Sequence, residues 1–192
     1  KHQEDQHLII LISLTILFLY FFVVPRQGLS NTFLAVVSSI STSGISVYSY
    51  NYDLSLFFIL LTIIGGSLLS TSSGFKYVRI YILLKISYQE MYRLVKPMNV
   101  TDNNLFNSDA KINDSDCKMA FLIFISFIVS IFLLSSILSF ENLSFDNYFK
   151  LSLLTLTNTT NSSLFGMENL NFYDFNSFSK ISLIIFMILG KI

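Results

Sequence analysis

SSISTSGIS, residues 38–46, is a hydroxyl-rich stretch with a single glycine, and it lies between two long apolar runs. It is too polar to cross a lipid bilayer and too short to form a domain. Small residues whose backbone carbonyls can point into a cavity are typical of ion-selectivity filters, because carbonyl dipoles can replace the hydration shell of a cation. Two interpretations are open for this stretch taken alone: a filter strand, or a Ser/Thr-rich turn between membrane helices.

The overall composition favours a membrane protein over a soluble domain. Hydrophobic residues make up 53% of the chain, charged residues only 12%, and the net charge is zero. Without a basic run interleaved with aromatics, no nucleic-acid partner is expected. The single Cys117 predicts an inert thiol, and no Walker motif, nucleophile constellation or metal cluster is present, so we predict no enzyme activity and no cofactor. The chain starts without methionine and stops inside an apolar run, so we expect a piece of a longer polypeptide.

Outward from the opening stretch, the first part of the chain predicts three membrane segments. An apolar run at residues 8–24 is long enough for a spanning helix. Residues 31–46 predict a half-length pore helix followed by the hydroxyl-rich stretch. Residues 54–86 predict a spanning helix that is broken in its middle by a Gly/Ser-rich linker. A half-length helix followed by polar backbone indicates a re-entrant loop, which membranes tolerate only where it lines a cavity or is buried in protein.

The same order recurs later in the chain. Residues 119–140 predict a spanning helix, residues 145–163 a second half-length helix with a Ser/Thr/Asn-rich stretch, and residues 178–192 the start of a last spanning helix. Internal repeats in membrane proteins commonly place a permeation or substrate site at their shared axis. The repeat therefore favours the filter interpretation over the plain turn.

Charge predicts the orientation. Residues 87–118 form a polar connection that we interpret as a cytoplasmic loop, which places both filter-like stretches on the outer side. Seven of the 12 Lys and Arg residues lie in or beside this loop: Lys76, Arg79, Lys85, Arg93, Lys96, Lys111 and Lys118.

Four motifs resemble a known family. STSG at residues 41–44, IGGSLLSTSSGFKYVRI at 64–80, YRLVKPMNV at 92–100 and FMILGK at 186–191 are similar to the Trk/Ktr/HKT superfamily of potassium transporters, specifically its bacterial Trk-type membrane subunit. The resemblance covers nearly the whole chain and corresponds to the third and fourth of the family's four repeats. It implies an all-α polytopic membrane protein of repeated helix–pore-loop–helix units, with re-entrant half-helices and one broken spanning helix.

The resemblance also implies which residues bind the ion. Gly44 takes the place of the family's central filter glycine, and the carbonyls of Ser41, Thr42 and Ser43 would coordinate potassium; these four residues are the first filter segment. The second filter segment comprises Asn158, Thr159, Thr160 and Asn161, where the family usually has Asn-Val-Gly-Pro-Gly. Thr160 stands at the glycine position and resists positive φ, whereas Asn161 tolerates it with a one-residue shift. Two interpretations of the missing glycine remain open: potassium selectivity is relaxed, or this copy of the repeat is decaying.

The linker within the broken helix resembles the family's intramembrane gating loop; we call residues 65–74 the Gly/Ser loop. A static kink is the alternative. Lys191 matches a family arginine that faces this loop and adds an electrostatic barrier. The residues predicted to act in gating are Gly65, Gly66, Ser67, Ser70, Thr71, Ser72, Ser73 and Gly74.

The predicted function is potassium uptake through a gated, carbonyl-lined filter in the bacterial inner membrane. The resemblance implies a lipid bilayer environment, a homodimer, and a cytoplasmic nucleotide-binding regulatory subunit. One alternative is a non-conducting residual or structural membrane fragment, because two repeats supply half of a four-fold pore. A less selective monovalent cation channel is another, and a third is that two such halves associate to complete four repeats.

Overall fold

All regular elements of secondary structure in the described part of the chain are helices. The computed structural model describes residues 2–23, 28–45, 54–67, 70, 72–96, 104, 112–141, 143–159, 163–166 and 172–191. Short 3₁₀ turns at Ser163–Phe165 and Phe172–Asp174 precede the last helix. The α-helices are α1 (His2–Phe18, continued by a π-helical turn at Leu19–Val23), α2 (Leu29–Ile40), α3 (Ser55–Ile64), α4 (Tyr77–Val95), α5 (Asp114–Leu138), α6 (Phe145–Leu156) and α7 (Ser177–Leu189).

The helices form two similar units. In the first unit α2 packs between α1 and α3, and in the second α6 packs between α5 and α7. Contacts of α4 with α5, and of α3 with the 3₁₀ turn Ser163–Phe165, join the units. One apolar core runs through both units, with Val36 of α2, Phe58 of α3 and Leu154 of α6 all fully buried.

The two half-helices, α2 and α6, have the same length of 12 residues. At 1.5 Å per residue each extends about 18 Å, roughly half of the ~30 Å hydrocarbon core of a bilayer. Each helix ends inside the apolar core, where Ile40 and Leu156 are buried. Of the polar residues that follow, Thr42, Thr157 and Thr159 are buried, whereas Ser41 and Ser43 are exposed.

Three helices extend beyond their predicted bounds because polar residues continue them. Helix α1 begins at His2 rather than at residue 8, since Glu4 and Asp5 in its first turn interact favourably with the helix dipole. Helix α4 continues to Val95, past the predicted bound at residue 86, with an exposed Arg93–Glu90 pair at 2.8 Å in its last part. Helix α5 begins at Asp114, where Asn113 and Asp116 form a capping box.

Apolar side chains cover the outside of the long helices. Leu14 on α1 is 65% exposed, and Leu122 and Phe132 on α5 are 68% and 65% exposed. Soluble monomers rarely expose contiguous apolar surface of this kind, whereas lipid accommodates it. The segments Gln3–Phe21 and Asp114–Leu138 are long and apolar enough to cross a membrane.

Candidate functional site

The first filter segment leaves α2 through a tight turn. The backbone N–H of Ser43 donates to the carbonyl of Ser38 at 3.1 Å, and the N–H of Thr42 donates to the carbonyl of Ser39 at 3.2 Å. Thr42 has a φ of 53°, in the left-handed region. This pattern of hydrogen bonds around a left-handed residue is a Schellman motif, which satisfies the last carbonyls of a helix.

The second filter segment leaves α6 through the same turn. The N–H of Thr159 donates to the carbonyl of Leu154 at 2.8 Å, and the N–H of Asn158 donates to that of Thr155 at 3.1 Å. Asn158 has a φ of 56°, so it takes the part that Thr42 takes in the first unit. The two exits are therefore copies of one backbone geometry, although their sequences differ.

The filter segments also meet each other. Gly44 has a φ of 67°, and a β-carbon placed on it would lie 3.7 Å from the Cα atom of Thr159. That distance is an ordinary van der Waals contact, so the two backbones pass side by side. Thr159 is only 2% exposed. The fold therefore brings together two stretches that lie more than a hundred residues apart in the sequence.

One residue of the Gly/Ser loop contacts both filter segments. The backbone N–H of Ser73 donates to Oγ1 of Thr42 at 3.1 Å, and Oγ of Ser73 accepts a hydrogen bond from Nδ2 of Asn158 at 2.7 Å. Nδ2 of Asn158 also donates to the carbonyl of Met187 on α7 at 3.1 Å. Ser73 is 3% exposed and its hydrogen bond to Thr42 is buried, whereas the two hydrogen bonds of Asn158 are partly buried.

Internal hydrogen bonds fold the Gly/Ser loop back on itself. Its ends meet where the N–H of Phe75 donates to the carbonyl of Ile63 at 3.0 Å. Inside the loop, Oγ of Ser72 accepts from the N–H of Gly66 at 3.0 Å, and Oγ of Ser70 accepts from the N–H of Ser72 at 3.1 Å. The serine hydroxyls thus replace the backbone hydrogen bonds that a continuous helix would supply.

Glycine is required at the closure of this loop. Gly74 has a φ of 100°, and a β-carbon there would lie 2.7 Å from the carbonyl oxygen of Thr62. Gly65 has a φ of 65° and lies close to the carbonyl of Ser73. Both the conformation and the close approach exclude a side chain at Gly74. Lys76 follows with a φ of 69°, and its Nζ donates to the carbonyl of Ser70 at 3.3 Å.

A mostly apolar cavity with several serines in its lining lies beside the loop and the first filter segment. Its volume is about 320 Å³, and Ser41, Ser67 and Ser70 contribute hydroxyl groups to its lining. Asp5 of α1 and Gly66 of the loop also line it. Hydroxyl and carboxylate oxygens are the ligands that hard cations prefer in proteins. Apolar side chains from α1 and α2, including Leu8, Ile12 and Ile40, make up the rest of the wall, so only part of the cavity carries such groups.

Most of the predicted site residues converge, and some lie elsewhere. The first filter segment, Asn158, Thr159 and the described part of the loop form one cluster. Thr71, Thr160 and Asn161 lie outside the described residues. Lys191 follows α7 with an exposed side chain, and its barrier role stays a prediction, as do the ion-binding and gating roles of the other residues.

Sequence reasoning missed the part that α7 plays. A β-carbon on Gly190 would overlap the carbonyl oxygen of Leu156, the last residue of α6. Gly190 and the Met187 carbonyl therefore place the end of α7 directly against the start of the second filter segment. The only sequence signal was a glycine at the end of an apolar helix, which usually indicates a helix terminus and nothing more.

Comparison with known proteins supports the fold. No family model matches the sequence, and no curated protein matches it either. Among solved structures, the crystal structure of the potassium transporter TrkH from Vibrio parahaemolyticus matches with a TM-score of 0.78 and 21% sequence identity. This chain has the TrkH fold. The match covers 95% of the chain and 40% of the TrkH chain, so the chain spans less than half of that transporter's length.

The TrkH fold confirms the predicted class of an all-helical membrane protein with half-length helices. It also agrees with the exposed apolar surfaces of α1 and α5, which lipid would cover. At 21% identity the similarity establishes the fold, and the function needs its own argument.

Proposed function

We propose that this chain is part of a potassium transporter whose ion path runs between the two filter segments. The observation that carries the proposal is their convergence: Gly44 lies against Thr159, and both segments are hydrogen-bonded to Ser73. The similarity to a structure described as a potassium transporter supports it. Because the chain spans only part of that relative, the transport activity belongs to the full polypeptide that contains these residues.

Carbonyl oxygens are the proposed ligands of the ion. Potassium sheds water readily and suits rings of backbone carbonyls without a ring of charged side chains. The first filter segment provides such backbone at Ser41, Thr42 and Ser43, and the second at Asn158 and Thr159. Thr160 and Asn161 would extend the second segment. Oxygens from the rest of the polypeptide would complete the coordination shell.

We assign the Gly/Ser loop to gating. It is joined to the filter segments through Ser73, and the hydroxyl hydrogen bonds within the loop can exchange for one another as the loop moves. Flexible Gly and Ser residues suit a moving element. Lys191 would add a positive charge near the exit of the path and raise the barrier to cations.

The proposed orientation places residues 87–118 in the cytoplasm and the filter segments toward the outside of the bacterial inner membrane. The polar end of α4 fits water, since Glu90 and Arg93 form an exposed pair there. A homodimer and a cytoplasmic nucleotide-binding regulatory subunit are further proposals. The regulatory subunit would contact the cytoplasmic side, where the charged residues of the central connection are concentrated.

Two measurements test the proposed function: growth at low potassium and uptake of ⁸⁶Rb⁺ as a tracer for potassium. The full-length polypeptide is expressed in a potassium-uptake-deficient cell, and ⁸⁶Rb⁺ uptake is measured with and without competing potassium. We expect uptake that potassium competes away, and higher uptake when the Gly/Ser loop is shortened. Growth no better than that of the empty strain would favour the non-conducting interpretation. Uptake unchanged by the shorter loop would make the loop a static kink.

A less selective monovalent cation channel is the second candidate, and one observation favours it. Asn158 and Thr42 occupy the same place in the two exits. Counting two residues forward from each gives Gly44 in one segment and Thr160 in the other. The substitution Thr160→Gly should then increase the preference for potassium over sodium. An unchanged preference would reject this candidate.

A further inference from the structure

Ser73 has a position that no other described loop residue shares. Its backbone N–H donates a hydrogen bond to Oγ1 of Thr42, and its hydroxyl oxygen accepts one from Nδ2 of Asn158. These three residues belong to three different segments of the chain: the first filter segment, the Gly/Ser loop and the second filter segment. Because Ser73 is 3% exposed, water does not substitute readily for either partner.

The two partners of Ser73 are also residues with a costly backbone conformation. Among the described residues, only Thr42, Lys76 and Asn158 combine a positive φ with a side chain. A left-handed conformation is unfavourable for a residue with a β-carbon, less so for Asn than for Thr, and it persists where the surrounding structure fixes it. The hydrogen bonds to Ser73 link it to the side chain of the left-handed residue in each filter segment. Their convergence on one serine is the geometry that a positioning element requires.

We propose that Ser73 is a positioning residue that fixes the two filter segments relative to each other, and that it thereby sets the ion selectivity of the path. This inference rests on the proposed potassium transport. Its hydroxyl acts on the second segment, whereas its backbone N–H acts on the first. A side-chain substitution at Ser73 therefore frees Asn158 from the loop and leaves the bond to Thr42 available.

The neighbouring serine provides a matched control. Ser72 is also buried, but its hydroxyl accepts a hydrogen bond from Gly66 within the loop, and none of its described hydrogen bonds goes to a filter segment. The full-length protein is reconstituted in vesicles as the parent, Ser73→Ala and Ser72→Ala, and the ratio of sodium to potassium uptake is measured. Losing one hydrogen bond corresponds to about a 3- to 10-fold rise in this ratio for Ser73→Ala. Ser72→Ala keeps the parent ratio, whatever its uptake rate.

A double-mutant cycle separates this proposal from the proposed function. Thermal unfolding is measured for Ser73→Ala, Asn158→Ala and the double variant. We expect the double variant to lose less stability than the sum of the single losses, because both remove the same hydrogen bond. Additive losses, or equal uptake ratios in the parent and Ser73→Ala, would overturn the positioning role. A parent protein without uptake would contradict potassium transport, and the cycle alone would then decide the role of Ser73.

Discussion

The two filter segments start from the same backbone turn but continue with different residues. Thr42 and Asn158 both have a φ near 55° and both follow a 12-residue half-helix. Two residues later the first segment has Gly44, with a φ of 67°, whereas the second has Thr160. The turn that ends each half-helix therefore forms without glycine. Gly44 is needed two residues later, within the filter segment.

The half-helices before these segments also differ in how far they are covered. The last six residues of α6, from Leu151 to Leu156, are all buried. Helix α2 keeps an exposed side, on which Phe33 is 51% exposed and Leu29 is 60% exposed. Helix α6 likewise begins with an exposed residue, Phe145 at 70%, so both half-helices are covered mainly where they end at the filter segments, α6 more completely than α2.

Replacing the glycine of the first segment should have the largest effect. Gly44→Asp puts a side chain at a φ of 67° and a carboxylate beside the proposed ion path. A charged group there would bind a cation too tightly to release it, so we expect potassium uptake to fall to background. Gly28→Asp is the control, because Gly28 also has a positive φ but has open space around it and lies outside the filter. Equal loss in both variants would make backbone strain, not the filter, the cause.

The contact between α7 and the second half-helix should give the next largest effect. A β-carbon in Gly190→Ala would overlap the carbonyl of Leu156 and push the two helices apart. Forced overpacking costs typically 1–3 kcal/mol, so we expect a fall of about this size in the free energy of unfolding. Thermal unfolding in detergent measures it. Gly166→Ala gives the cost of backbone strain alone, because Gly166 has a φ of 68° with open space around it, whereas Gly190 has a φ of −67°. No loss in Gly190→Ala would contradict the close contact.

A reciprocal exchange of the two left-handed residues tests how similar the exits are. Asn158→Thr adds a β-branched side chain in a left-handed conformation and removes the amide that bonds Ser73 and Met187, so we expect a loss of about 1–3 kcal/mol. Thr42→Asn supplies a residue that tolerates this conformation and retains an oxygen for the Ser73 N–H. Its stability should change by less than about 1 kcal/mol. Comparable losses in both variants would show that the two exits are not equivalent.

The sequence predicted the repeat and the half-helices well, because hydrophobic length and interruption are local signals. The repeat also suggested a shared axis, and the ion-binding role of the two filter segments near it stays a prediction. The hydrogen bonds of Ser73 could not be predicted in this way. The loop contains several serines with the same local pattern, and only the packing of three distant segments distinguishes Ser73 from Ser72.

The end of helix α4 was also predicted too early, for a physical reason. Hydrophobicity alone ends the broken spanning helix near residue 86, whereas helix propensity and an i,i+3 ion pair continue α4 to Val95. Gly190 was missed because its role depends on a carbonyl more than thirty residues earlier. Sequence periodicity describes one helix at a time, and contacts of this kind involve two.

The smallest predicted effect concerns the start of α7, which Glu141 holds in the second unit. Its carboxylate accepts hydrogen bonds from Oγ of Ser179 at 2.6 Å and from the N–H of Asn176 at 3.0 Å, and these bonds lower the pKa of Glu141 below its usual 4.5. A lowered pKa adds stability above the unfolded-state value, and that stability is lost as the pH falls through the folded-state value. The parent should therefore lose thermal stability below about pH 4.5 more steeply than Glu141→Gln. Helix α3 in the first unit begins at Ser55, and Leu54 before it provides no side-chain cap. Matching pH profiles for the parent and Glu141→Gln would contradict the role of Glu141.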